Sequence, residues 1–180
     1  KKVTSGASTL KDHGDLKRIG NSTPRYNFGL NLNAEWKGID FSIFFQGVMK
    51  RDYWVDGPYF WGASGGLWQS CCFKEHLDYW SEDNPKPYFG NGKNQQTQTR
   101  YLQNAAYVRC KNIQLGYTLP QSLTEKAGMS RVRAYFSCDN LFTLTSLSGV
   151  FDPEAMGGSW GNGKLYPLQR TWAIGLNITF

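Results

Sequence analysis

Apolar and polar side chains alternate one by one along much of this chain. From Tyr26 to Trp36 every even position is apolar (Tyr26, Phe28, Leu30, Leu32, Ala34, Trp36), and between them stand Asn27, Gly29, Asn31, Asn33 and Glu35. Successive residues of a strand point to opposite sides, so a period of two predicts a β-strand with one apolar and one polar face. Lys37-Gly38 then supplies a tight turn, and Ile39 to Gln46 resumes the alternation with Phe44 as its one exception. The pair is expected to form a β-hairpin. Alternation returns at Asn104: Ala106, Val108 and Cys110 are even, whereas Ile113, Leu115, Tyr117 and Leu119 are odd. The change of parity across Lys111-Asn112 predicts one extra residue there, a β-bulge. A further strand carries Val132, Ala134, Phe136 and Cys138 opposed to Arg131, Arg133, Ser137 and Asp139. The last puts Trp172, Ile174, Leu176, Ile178 and Phe180 on one face.

Between these strands the period disappears. Pro120 to Ala127 reads as a short helical turn stopped by Gly128, because glycine enters the left-handed conformation cheaply. From about Met49 to Asn104 the chain is rich in Gly, Pro, Asn and aromatic rings, and Ser146 to Leu165 is Gly-rich. An unpatterned connection of the first kind is uncommon in a compact domain and is usually functional or disordered; its ring content favours function.

Composition narrows the class. The 180 residues include 7 Trp, 10 Tyr and 11 Phe, too many rings for a disordered segment. No apolar run approaches the roughly 20 residues of a membrane-spanning helix. Lys1-Lys2-Val3 opens neither a signal peptide nor a lipidation motif, so if the protein is exported its signal is expected to lie outside this chain. The net charge of +6 is scattered rather than gathered in a stripe, which argues against nucleic-acid binding. Cys71-Cys72, Cys110 and Cys138, with His13 and His76 far apart, match no zinc spacing. Neither a metal nor another cofactor is expected.

Strands of about 9 to 11 residues are what a tilted strand needs to cross a bilayer. Aromatic residues bracket an aliphatic centre: Tyr26, Phe28 and Trp36 around Leu30, Leu32 and Ala34, and Trp172 and Phe180 around Ile174, Leu176 and Ile178. That distribution matches the interfacial girdles of outer-membrane barrels. Short connections (Lys37-Gly38, Pro120 to Met129) alternate with long ones, as in barrels whose long loops lie outside the cell. Residues 1 to about 23 fall on the long-loop side. Five strands cannot close a membrane barrel, since open edges in lipid leave backbone groups unpaired. The fold class expected is therefore all-β, the C-terminal antiparallel strands of a large transmembrane β-barrel, with residues 1–180 as its last part and long extracellular loops at about 50–104 and 145–165. The alternative is a soluble carbohydrate-binding β-sandwich, which has the same period on its inner faces.

Ordered motifs over about Gly14 to Phe180 add a resemblance. They are Ile19-Gly20-Asn21-Ser22-Thr23-Pro24-Arg25-Tyr26, Trp36-Lys37-Gly38-Ile39-Asp40, Tyr107-Val108-Arg109 through Asn112-Ile113 to Leu115-Gly116-Tyr117-Thr118-Leu119-Pro120, Asp139-Asn140-Leu141-Phe142-Thr143, Asp152-Pro153-Glu154, Tyr166-Pro167 with Arg170, and Gly175-Leu176-Asn177-Ile178-Thr179-Phe180. In this order and spacing they resemble the C-terminal barrel segment of the SusC/RagA-type TonB-dependent outer-membrane transporters of Bacteroidetes. The resemblance implies a barrel of about 22 strands, a plug domain, energy supplied through TonB, and a SusD-like surface lipoprotein that helps capture glycans or peptides. It places the chain in the cell outer membrane, in contact with lipid. The plug and the TonB-contacting segment are absent from these residues. Phe180 and its strand would, as in similar barrels, act as an assembly signal. Cys71-Cys72 and Cys110 depart from the family pattern.

Candidate contact residues are the loop rings Trp54, Tyr59, Trp61, Trp68, Tyr79 and Trp80, which could stack on sugars or bury against a lid protein. The simpler reading is that they pack the loop against itself. Asp152 and Glu154 fall short of the roughly six to eight oxygens of a calcium site, so they are expected to fix their loop. Arg109, Arg131 and Arg133 are expected to face the lumen. Cys110 and Cys138 would come within about one residue of opposite each other if Leu119 paired with Ser130; small lipid-facing side chains are expected rather than a disulfide. No nucleophile, base and carboxylate combine into a catalytic set, so the protein is expected not to be an enzyme; an enzymatic site in the long loop would require perturbed titratable groups that the pattern lacks.

Overall fold

The computed structural model describes residues 6–7, 9–55, 57–61, 72–89, 97–157 and 165–180. Five long strands form one antiparallel sheet in simple succession: β1 (Arg25–Trp36), β2 (Ile39–Lys50), β5 (Tyr107–Thr118), β6 (Arg131–Thr145) and β7 (Thr171–Thr179). Two three-residue strands, β3 (Asp52–Trp54) and β4 (Leu102–Asn104), pair with each other at the far end of β2. A single helical turn, α1 (Pro58–Trp61), follows β3, and a second, α2 (Gln121–Thr124), joins β5 to β6.

The alternation dictates the two faces. Three apolar rows cross all five strands in register: Trp36, Ile39, Tyr117, Ala134, Leu176; then Ala34, Phe41, Leu115, Phe136, Ile174; then Leu32, Ile43, Ile113, Cys138, Trp172. The opposite side carries polar and small residues, for example Asn33, Ser42, Gln114, Ser137 and Ala173. Among the described residues no second layer covers the apolar rows. Leu30 is 47% exposed, Leu176 59% and Ile174 87%, so they do not meet across a dry interior as the faces of a sandwich must. The core lies elsewhere, between the long loops.

Turns and bulges explain the register. Lys37 (φ 49°) and Gly38 (φ 85°) both adopt positive φ, the type I′ geometry whose twist suits a two-residue hairpin. Lys111 is the extra residue anticipated from the parity change: Phe44 pairs with Asn112 and Phe45 with Cys110, leaving Lys111 between them. Gly128 ends the helical part of the β5–β6 connection at φ 69°. On the polar face Arg133 forms an ion pair with Asp40 through two contacts, Nε to Oδ1 at 2.8 Å and Nη2 to Oδ2, and its guanidinium stacks on Tyr135. Tyr135 in turn lies over Gly175, where a Cβ would come within 2.2 Å of its ring.

Three expectations need correcting. The stretch from Met49 to Asn104 is not unpatterned throughout, since β2 runs to Lys50 and β3 and β4 pair; ladders of three residues are too short to show a period. Alternation from Asn104 belongs to two elements, with β5 starting at Tyr107. The β5–β6 register is offset by two residues from a Leu119–Ser130 pairing, since the Leu119 N–H donates to Val132 O, and this moves the cysteines further out of line. Cys110 stands opposite Phe142 and Cys138 opposite Ile113, and both thiols are free and buried.

Candidate functional site

β2 delivers the chain directly into a compact cap at the long-loop end of the sheet. The Ala105 N–H donates to Arg51 O at 2.8 Å, so β3 and β4 leave the sheet side by side. Val55, Phe60, Tyr101, Ala105, Leu147, Phe151 and Met156 form the buried core of this cap, and they come from both long loops. Its rings meet edge to face: Phe60 with Trp61 at 4.9 Å, Trp61 with Tyr101 at 4.8 Å, and Phe60 with Phe89 at 5.5 Å. Such pairs place a positive ring edge on a negative face and stabilise beyond simple burial.

The candidate rings divide into two groups. Trp54, Tyr59 and Trp61 are half-buried and pack against the cap core. Tyr79 and Trp80 stand 60% and 63% exposed. Trp68 lies outside the described residues, as does Cys71. The exposed pair is displayed on a turn built around Asp78. Its carboxylate accepts from Asn84 Nδ2 at 2.8 Å and from the Tyr88 N–H at 3.0 Å, and those two donors hold the carboxyl below the usual carboxylate range. His76 braces the neighbouring turn. Nδ1 accepts from the Phe73 N–H at 2.8 Å, which leaves Nε2–H to donate to Phe60 O at 2.9 Å and defines a neutral tautomer. Nothing in the sequence pattern distinguished this histidine.

A second cluster ties the cap to the polar face of the sheet. Because Lys111 is the bulged residue, Arg109, Lys111 and Asn112 all serve the polar side. Arg109, 3% exposed, donates through Nε to Thr143 Oγ1 at 2.7 Å and through Nη2 to Asp152 Oδ1 at 2.8 Å; its Nη1 lies 3.4 Å from Glu154 Oε1. Lys111 Nζ reaches Glu154 Oε2 at 3.0 Å. Asp152 also accepts from its own turn, the Glu154 N–H at 2.9 Å, and from the returning chain, the Leu168 N–H at 3.0 Å. One carboxylate thereby joins the sheet, the loop's first turn and its way back. Burial pushes the Asp152 carboxyl up, but the Leu168 and Glu154 amides and the Arg109 guanidinium outweigh it and hold it below its ordinary value. The loop-fixing role expected of Asp152 and Glu154 has its geometry here. Their oxygens are taken by cations and backbone amides, and among the described residues no three carboxylate, His or Cys side chains gather as a metal site.

Arg109, Arg131 and Arg133 sit at polar-face positions, paired in register with Thr143, Thr179 and Asn177. The one large apolar residue among the polar-face positions of β2's middle is Phe44, opposite Asn31 and Asn112.

No family model matches the chain. A TonB-dependent receptor, P3, of Formosa agariphila is 31% identical over 92% of the chain, which covers 17% of that protein. The TonB-dependent receptor SusC of Bacteroides thetaiotaomicron is 26% identical over 84% of the chain, covering 15% of SusC. Among solved structures, the RagAB peptide importer in its open-open state superposes with a TM-score of 0.70 at 31% identity, over 99% of this chain and 20% of that one. The chain is a barrel segment of the SusC/RagA type. It spans about a fifth or less of the length of these relatives. Barrels of this kind have an apolar exterior and a polar lumen, and the two faces of this sheet divide in the same way, with the Arg109 and Arg133 ion pairs on the polar one.

Proposed function

We infer that this segment supplies wall and outer loops to an outer-membrane importer of nutrients, glycans or peptides, driven through TonB and working with a SusD-like surface lipoprotein. One observation supports the reading above all: three uninterrupted apolar rows face away from a polar surface and have no covering layer among the described residues. Such a surface, left in water, would be far larger than the apolar patches soluble monomers expose. The cap then lies at the extracellular end, above the lumen. Within the cap, Tyr79 and Trp80 are the rings available to a lipoprotein lid or a ligand, while Trp54, Tyr59 and Trp61 contribute mainly to holding the loop's shape. The importer named in the RagAB comparison carries peptides, which favours that half of the cargo class. TonB engages parts of the receptor other than this segment.

Nitroxide labels test the orientation in the complete receptor reconstituted in lipid vesicles. Labels at positions 32 and 174 are expected to be accessible to oxygen and protected from a water-soluble nickel complex, and labels at 31 and 173 the reverse. Equal nickel access at all four positions would refute the barrel reading. For transport, cells lacking the receptor should lose TonB-dependent uptake of a labelled peptide or glycan and regain it with the intact gene.

A further inference from the structure

The alternation of β2 fails at Phe44, and that residue borders a cleft. Its ring is 3.2 Å from where a Cβ on Gly29 would stand, so the absence of a side chain at Gly29 gives the ring its seat. With Asn27, Gln46, Arg51, Pro153 and Glu154 it lines an open cleft of about 610 Å³ at the long-loop end of the polar face. A recess of that size, with an aromatic ring and a few planar polar groups, has the dimensions and chemistry of a ligand subsite.

Charge narrows the ligand class. Asp152 and Glu154 are matched by Arg109 and Lys111, so that cluster is neutral. Arg25 and Lys50, by contrast, are direct cross-strand partners, and like charges directly opposite destabilise a sheet. Arg51 follows immediately. Among the described residues none of these three cations has a carboxylate within ion-pair distance, and Arg25 Nε is buried without a hydrogen-bond partner. Arg51 donates through Nε to Ser22 O and through Nη1 to Pro153 O, which leaves Nη2 free of those bonds. The nearby Asp52 carboxylate is engaged by the Asn21 N–H. Arg51 is the cation that lines the cleft; it stacks on Tyr53 and has no carboxylate partner among the described residues, and beside the Phe44 ring it suits a group that is anionic at one end and apolar along one side.

We propose that the cleft is a subsite for a carboxylate-bearing unit of the transported molecule, with the carboxylate on Arg51 and the apolar side of the unit on Phe44. The inference rests on the importer reading above. The carboxylate can come from an acidic peptide or from a uronate sugar, and the test separates the two. Binding to the purified complete receptor is measured by calorimetry with two matched pairs of probes: a short glutamate-containing peptide against its glutamine counterpart, and a glucuronate oligosaccharide against its glucose counterpart. A charge-assisted hydrogen bond predicts that the acidic member of one pair binds about 10-fold more tightly, less so at high salt. Arg51→Gln should abolish that preference, Arg51→Lys should keep most of it, and Phe44→Ala should weaken both members of the pair. The pair that responds identifies the source. No charge preference in either pair, or a preference that survives Arg51→Gln, overturns the subsite. So do variants that lower thermal stability while leaving binding unchanged, because the cleft would then be a packing seat for another part of the receptor. The nitroxide at position 32 separates the two failures: lipid exposure without a charge preference removes the subsite alone, and water exposure removes the barrel reading with it.

Discussion

In the cap Phe60 is 2% exposed; on the sheet Ile174 is 87% exposed, in a row of residues equally apolar. The cap buries its rings against one another and has a core of its own, assembled from two loops. The sheet has none, and its order comes from cross-strand ladders and from rows of neighbouring side chains. The same residue types thus serve opposite purposes, and the solvent each region meets makes the difference. A loop in water must bury its apolar groups to offset the entropy of ordering. A strand in hydrocarbon gains by exposing them and must pair its backbone instead.

The largest effect is expected where the two regions are joined. Arg109→Met leaves the Asp152 carboxylate without its cation and Glu154 with Lys111 alone, and breaking a buried ion pair by removing one partner costs about 3–5 kcal/mol. Amide exchange should show the Leu168 N–H and the turn at residues 152–154 losing protection. If they keep it, the cap does not depend on the wall. Phe60→Ala is expected to cost about 3 kcal/mol, the low end for such truncations because Trp61 and Phe89 can close in. Exchange should then rise in β3 and β4 while β1, β2, β5, β6 and β7 stay protected; loss of protection across the whole sheet would show that the two regions fold as one.

On the wall, Leu32→Arg should destabilise the receptor in lipid by about 2–4 kcal/mol, whereas Asn33→Arg, one residue along, should cost about 1 kcal/mol or less. Equal costs in denaturant titrations would erase the distinction between the faces. A smaller effect is expected from pH. The folded Asp152 carboxyl titrates below its unfolded value of about 4, so its stabilisation is complete above that value and is lost as pH falls through the lower, folded one. Protection of the Leu168 amide should decline on acidification in the wild type, and Asp152→Asn should flatten that decline. The smallest stability change belongs to Trp80→Ala, within about 0.5 kcal/mol because the ring is exposed. Its effect should appear in lipoprotein or ligand binding, and unaltered binding would confine that ring to the solvent surface.

Several of these features were legible in the sequence, the strand ends less closely than the strands themselves. The five long strands, the two-residue hairpin turn, a bulge at Lys111-Asn112 and the left-handed Gly128 all follow from local period or local backbone preference. The exception at Phe44 was visible too, although the cleft beside it was not. The β3–β4 pair is not visible because three residues carry no period, and the cysteine register is not either, because a connection that contains a helical turn does not by itself settle which residues pair. Asp152 and Glu154 could be assigned to their loop but not to Arg109 and Lys111, which lie 43 residues away from the partners they bond.

What the amino-acid order determined alone is which side of each strand is apolar, since covalent geometry turns every second side chain to the same face. Tertiary structure decided which loop rings are buried, which cations are matched and which remain unpaired. Those outcomes depend on segments far apart in the chain closing onto one another, and that closure leaves no periodic trace in either segment.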